Sequence, residues 1–204
     1  MNKLNAMLID ALNDEWKAAF QYYIHASQFR VLHNDPISEH MKDHADDEVG
    51  HAERLSIHLL GKGVDFQVVI PEVSSSLDTV EMIAQDLQDE VTTIDKYSAI
   101  LDAIGDDPKL TDTRVLIEDI TTDEVEHQDE NAALLKTKID ARKQAMAGGD
   151  QGAVIPDEVM AKAMNAFVRL ADQSDRLAVR TNSQAFVRRA NVVSTWAADC
   201  VKNG

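Results

Sequence analysis

Sulfur, turn-forming residues and aromatic rings are all scarce in this sequence: one cysteine, four prolines and eight glycines in 204 residues, with aromatic side chains at 5%. The lone Cys200 rules out an internal disulfide, so nothing points to an oxidising compartment, and a small buried apolar role is expected of it. So little Pro and Gly argues against a loop-rich or disordered chain and for long helices. No segment approaches the roughly 18 uninterrupted apolar residues of a membrane span. The first twelve residues lack a basic start followed by an apolar stretch, so a soluble cytoplasmic protein is expected. Basic residues are also few, 20 Lys+Arg against 36 Asp+Glu, for a net charge of −16. Residues 1–150 carry 13 basic against 31 acidic side chains, and residues 151–204 carry 7 against 5. Such an acidic body repels nucleic acid and anionic membranes and attracts cations.

What is present is 44% hydrophobic and 27% charged residues, enough for a substantial core in an all-α protein. The 3.6-residue pattern predicts six helices near Leu4 to His33, Pro36 to Leu60, Asp78 to Ile104, Pro108 to Ala147, Asp157 to Arg180 and Ser183 to Val201. Asn34-Asp35-Pro36 and Gly105-Asp106-Asp107-Pro108 are tight breaks, so helices one and two, and three and four, pair as antiparallel hairpins. Gly61 to Leu77, with Pro71 and Ser74-Ser75-Ser76, is too long for a hairpin turn and reads as a crossover. Two hairpins joined by one long crossover is the ferritin type of connectivity among four-helix bundles. The Gly148-Gly149 region divides a bundle over 1–147 from a C-terminal helical extension over 148–204, whose two amphipathic helices must pack on the bundle or on a neighbouring subunit.

The apolar stripes carry the functional signal. In helix one, Leu8, Leu12, Ala19 and Tyr22 define the inner side, and Glu15 falls on it. Glu48 and His51 interrupt the stripe of Met41, Ala45, Ala52 and Leu55; Glu90 interrupts Ala84, Leu87, Ile94 and Tyr97; Glu124 and His127 lie among Ile117, Ile120, Leu134 and Leu135. Isolated carboxylates in a dry core cost several kcal/mol each, so four of them must protonate or meet cations. No Lys or Arg occupies these stripes near them, and two metal ions would supply the missing charge. Glu48-x-x-His51 and Glu124-x-x-His127 place a carboxylate and an imidazole on adjacent turns of one face. Glu15 precedes Glu48 by 33 residues and Glu90 precedes Glu124 by 34, as if the hairpins were copies. Oxygen and imidazole donors without thiolate suit iron or manganese, with zinc a common imitator. The remaining histidines, His25, His33, His40, His44 and His58, are expected at the surface or at helix ends, with His44 and Asp47 candidates for an iron relay.

At these residues the chain resembles the ferritin-like superfamily, and bacterioferritins most. Gln21 to Ala26, His44 to Leu55, Asp86 to Glu90 and Asp123 to His127 carry the resemblance, which covers about residues 1–145. It implies Glu15 and Glu90 as terminal ligands of two iron ions, Glu48 and Glu124 as bridges, and His51 and His127 as nitrogen ligands. Tyr22 matches a tyrosine near the family's site, where it would bond a ligand or donate an electron. Haem is not expected, because Val49 stands where haem-carrying bacterioferritins have methionine. The resemblance implies a ferroxidase that oxidises iron(II) with oxygen or peroxide for iron storage or detoxification, in a homo-oligomer. A rubrerythrin-like di-iron oxidase or peroxidase without a mineral store is the alternative, although rubrerythrins add a cysteine-rich module and a carboxylate where Thr93 stands. A non-catalytic metal-binding or structural bundle is the other reading.

Overall fold

The structure, a computed structural model, describes residues 2–181 and 183–202. Among them every regular element is helical: α1 (Lys3–Val31), α2 (Asp35–Gly61), α3 (Thr79–Ile104), α4 (Thr111–Ala147), α5 (Asp157–Thr181) and α6 (Gln184–Lys202). None of these helices is long and apolar enough to cross a membrane.

The ends are set by local chemistry. Asn2 caps α1, its side-chain oxygen accepting from the Asn5 N–H at 2.8 Å. At the start of α3, Asp78 Oδ1 accepts from the N–H groups of Val80 (2.9 Å) and Glu81 (3.2 Å). α2 opens at Asp35-Pro36, two residues after His33, which takes the left-handed conformation at φ 55°. Gly105, at φ 54°, ends α3 in a turn that a side chain would strain. Pro108–Leu110 forms a single tight turn, capped by Asp107, before α4 begins at Thr111. The crossover is tied to α1, with the Val69 N–H donating to Asn13 and the Ser74 N–H to Gln21.

The chain divides into two compact units, Met1–Ser75 with Thr92–His127, and Ser76–Val91 with Gln128–Gly204. In the first, four helical segments share one core: Leu8 and Leu12 from α1, Leu55 and Leu59 from α2, Tyr97 and Ile100 from α3, and Ile117 and Ile120 from α4. Arg54 on α2 pairs with Asp119 on α4, and Lys96 on α3 with Asp10 and Asp14 on α1. In the second unit α5 and α6 pack against each other, with Phe167 edge-on to Trp196 at 5.7 Å. Ion pairs and hydrogen bonds fasten them to the other segments of that unit: Lys162 to Glu81, and Lys143 Nζ to the carbonyl of Asp199 at 3.0 Å. Cys200 is buried, and burial pushes its thiol up.

Candidate metal centre

Three carboxylates from three helices converge on one imidazole in the first unit. His51 Nδ1 lies 2.9 Å from Glu124 Oε1, 3.3 Å from Glu48 Oε2 and 3.4 Å from Glu15 Oε2. All four side chains are buried, and their ligand atoms lie within 4.8 Å of one another. Glu48 reaches a second imidazole as well, its Oε1 3.2 Å from His127 Nδ1. The sixth expected residue, Glu90, is buried on α3 at 3% exposure. It stands two helical turns before Tyr97, and so on the same side of that helix.

The outer nitrogens of both imidazoles are held in a reciprocal pattern. His51 Nε2 lies 3.2 Å from Asp123 Oδ2, and His127 Nε2 lies 3.4 Å from Asp47 Oδ2. Each aspartate precedes the glutamate of the opposite helix, so Asp47-Glu48-x-x-His51 and Asp123-Glu124-x-x-His127 hold each other's histidine. A carboxylate on one ring nitrogen fixes the tautomer and leaves the other nitrogen basic and aimed inward, the arrangement found around metal-ligating histidine. Asp123 is in turn within 3.6 Å of Arg54 Nη1.

The sequence reading placed Tyr22 beside the ligands, and missed Tyr97. Tyr97 Oη donates to Glu15 Oε1, while the Tyr22 ring is edge-on to His44 at 5.1 Å. His44 stacks on His127 at 4.2 Å and meets His40 at 4.3 Å. Two of the histidines expected at the surface are therefore corrected: His25 and His44 are buried, because each lies on the core-facing side of its helix, His44 two turns before His51. The suggested partnership of His44 with Asp47 is also revised, since Asp47 turns to His127. The pattern Asp-Glu-x-x-His, written twice, was the available signal for the two aspartates. The spacing of seven from Glu90 was the signal for Tyr97.

Electrostatics explain why the cluster asks for cations. Burial, reinforced by the Glu48 charge, holds the Glu15 carboxyl well above its usual range. Burial and the Glu15 charge likewise raise the Tyr97 hydroxyl. Glu48 is driven low: desolvation opposes its charge, but the close imidazoles of His127 and His51 outweigh it. Burial disfavours a charged His51, yet the three carboxylates around it, Glu124, Glu15 and Glu48, raise it. One ring nitrogen carries one proton and cannot satisfy three carboxylates. Glu15 Oε2 and Glu48 Oε1 each face an imidazole nitrogen, at 3.4 Å and 3.2 Å, but neither contact is a well-directed hydrogen bond. Oxygen and imidazole donors around two buried oxygens so poorly satisfied fit a hard or borderline metal ion.

No curated protein matches the chain. The family model for the ferritin-like domain does match, over residues 5–139, which takes in α1 to α3, most of α4 and every residue of the cluster. With four helices joined by one long crossover and a buried carboxylate and histidine cluster within the matched span, the chain belongs to the ferritin-like family.

Proposed function

We propose that the chain is a ferroxidase that takes up two iron(II) ions and oxidises them for storage or detoxification. The observation that carries this reading is the meeting of Glu15, Glu48 and Glu124 around His51 Nδ1, with Glu48 shared between His51 and His127. Glu15 and His51 would hold one ion and His127 the other, with Glu48 and Glu124 available to both; Glu90 is proposed as a further ligand on the family resemblance alone. Manganese or zinc could take the same donors. Each iron(II) gives up one electron; dioxygen takes two electrons and two protons to become hydrogen peroxide, or peroxide takes the same to become two waters.

The protein's part is to hold charge and protons in a dry pocket. Carboxylates shared between two ions neutralise the added positive charge at the iron(III) stage, and Asp47 and Asp123 keep the imidazoles aimed. Tyr97, hydrogen-bonded to Glu15, fixes the terminal ligand. Homo-oligomerisation is part of the proposal: Phe20, Ile24 and Val31 on α1 and Ile57 and Leu60 on α2 are exposed apolar side chains at helical spacing. Cytoplasmic residence is proposed with it.

Anaerobic iron(II) titration followed by air tests the reading. The expected result is uptake of about two irons per chain and a prompt rise in iron(III) absorbance on admitting oxygen. Oxidation no faster than that of free iron(II) sinks it. Replacing oxygen by peroxide in the second step identifies the oxidant.

Metal uptake is also expected to release protons. The raised Glu15 and His51 both favour the protonated, metal-free fold, so their contribution to its stability is full below their unfolded values and is lost as pH rises through the folded ones. Glu48, being lowered, acts oppositely and loses its contribution only in acid. Above the ordinary carboxyl range, rising pH therefore weakens the metal-free protein and strengthens metal binding. Calorimetry in two buffers of different ionisation enthalpy should give about one proton or more released per chain. Affinity that does not change with pH contradicts the assignment.

A further inference from the structure

The second unit contains a chain of hydrogen bonds that the ferroxidase reading does not use. Arg189 on α6 donates from Nη2 to Gln128 Oε1 at 2.6 Å and from Nε to Asp129 Oδ1 at 2.5 Å. Gln128 Nε2 on α4 donates to Gln173 Oε1 on α5 at 2.8 Å. Gln173 Nε2 donates to the Val91 carbonyl on α3, also at 2.8 Å. Gln128 and Gln173 are fully buried, and the Arg189 side chain is one-tenth exposed.

The sense of this chain is forced. Arginine has donors only, so Gln128 must turn its oxygen to Arg189 and its amide nitrogen to Gln173. Gln173 must then face its oxygen to Gln128 and its nitrogen to a carbonyl. Hydrogen bonds aligned in one direction inside a core polarise and stiffen one another, and a broken link leaves buried groups unpaired. The two anchor points are specific. Val91 directly follows Glu90, and Gln128 directly follows His127. Four helices are thus locked at the residues adjoining two of the expected ligands.

We infer that Gln173 is a positioning residue: through the Val91 carbonyl it fixes the turn of α3 that carries Glu90, so the C-terminal extension sets how tightly Glu90 holds its ion. The inference rests on the two-ion reading above. It assigns the extension a part in metal binding itself.

The test is anaerobic cobalt(II) titration of the metal-free full chain, followed by visible absorbance and calorimetry. The step that Glu90→Ala removes identifies the ion in question. Gln173→Leu, which deletes both hydrogen bonds and keeps an apolar shape, is expected to weaken that step about tenfold and leave the other unchanged. Arg189→Leu, which frees Gln128 to turn over, should weaken the same step and stands in if Gln173→Leu does not fold. Ala171→Gly loosens α5 without touching the chain of hydrogen bonds and should leave both steps as in the wild type. Equal weakening of both ions, or no change in either, overturns the inference with the two-ion reading intact. A wild-type chain that takes up no cobalt removes both.

Discussion

Glu48→Ala is expected to abolish uptake of the iron pair and to slow iron(II) oxidation by on the order of 100-fold, about 2.7 kcal/mol of lost stabilisation at the barrier. Glu48 is the side chain that spans the cluster, with one oxygen 3.3 Å from His51 Nδ1 and the other 3.2 Å from His127 Nδ1. Its removal deprives both ions at once. The metal-free fold should survive, because the two imidazoles can shed their protons when the carboxylate is gone. Circular dichroism like that of the wild type, with iron uptake falling from about two per chain to less than one, is the expected pair of observations. His127→Ala should lose one ion and keep the other. Should Glu48→Ala oxidise iron(II) at the wild-type rate, the residue leaves the mechanism.

The helices were legible to within one or two residues at most ends because their stops are written locally: Asn34-Asp35-Pro36, Gly105 and Asp157 each signal an end through capping or backbone preference. That Glu15, Glu48, His51, Glu124 and His127 lie in the core was legible for a different reason. A charged residue on an apolar stripe contradicts the pattern around it, and the contradiction marks a site. Tyr97 gave no such contradiction, since a tyrosine on an apolar face is ordinary core packing; its spacing from Glu90 put it on the right side of α3, and the packing of α1 against α3 brings its hydroxyl to Glu15. Asp123 and Asp47 were hidden because a carboxylate on an acidic helix reads as a solvated face, and their partners come from the opposite helix. Gln128 and Gln173 were hidden likewise, as uncharged polar residues whose burial depends on which faces of α4 and α5 are covered.

The reciprocal Asp–His pairs bear on how the two ions would compare. Each imidazole has an aspartate at its outer nitrogen and Glu48 at its inner one, but His51 also meets Glu124 and Glu15, and the hold on the terminal carboxylates differs as well. Glu15 is held by Tyr97, whereas the backbone beside Glu90 is held by Gln173. A hydroxyl on the ligand itself fixes it more directly than an amide acting on the next residue's carbonyl. The Glu15 ion is therefore expected to bind first.

Phe167→Ala is the substitution expected to cost most in stability, about 3–5 kcal/mol, because removing a fully buried ring loses its transfer energy and leaves a cavity. The ring fills the α5 side of the second unit among Ala163, Ala166 and Leu170, and meets Trp196 of α6 edge to face. Its loss removes transfer energy and the aromatic pair together. The two tryptophans make the measurement local: Trp16 packs on the core of the first unit, and Trp196 lies in the second. In a Trp16→Phe background, denaturant unfolding followed by Trp196 emission should shift to clearly lower midpoint for Phe167→Ala. Val168→Ala, at a half-exposed neighbour, should stay within about 0.5 kcal/mol of its parent. A Phe167→Ala midpoint equal to the parent's would mean that α5 does not bury this face. The C-terminal extension would then be an ornament on the bundle, and the hydrogen-bonded chain through Gln173 would have no rigid support from which to hold α3 and α4.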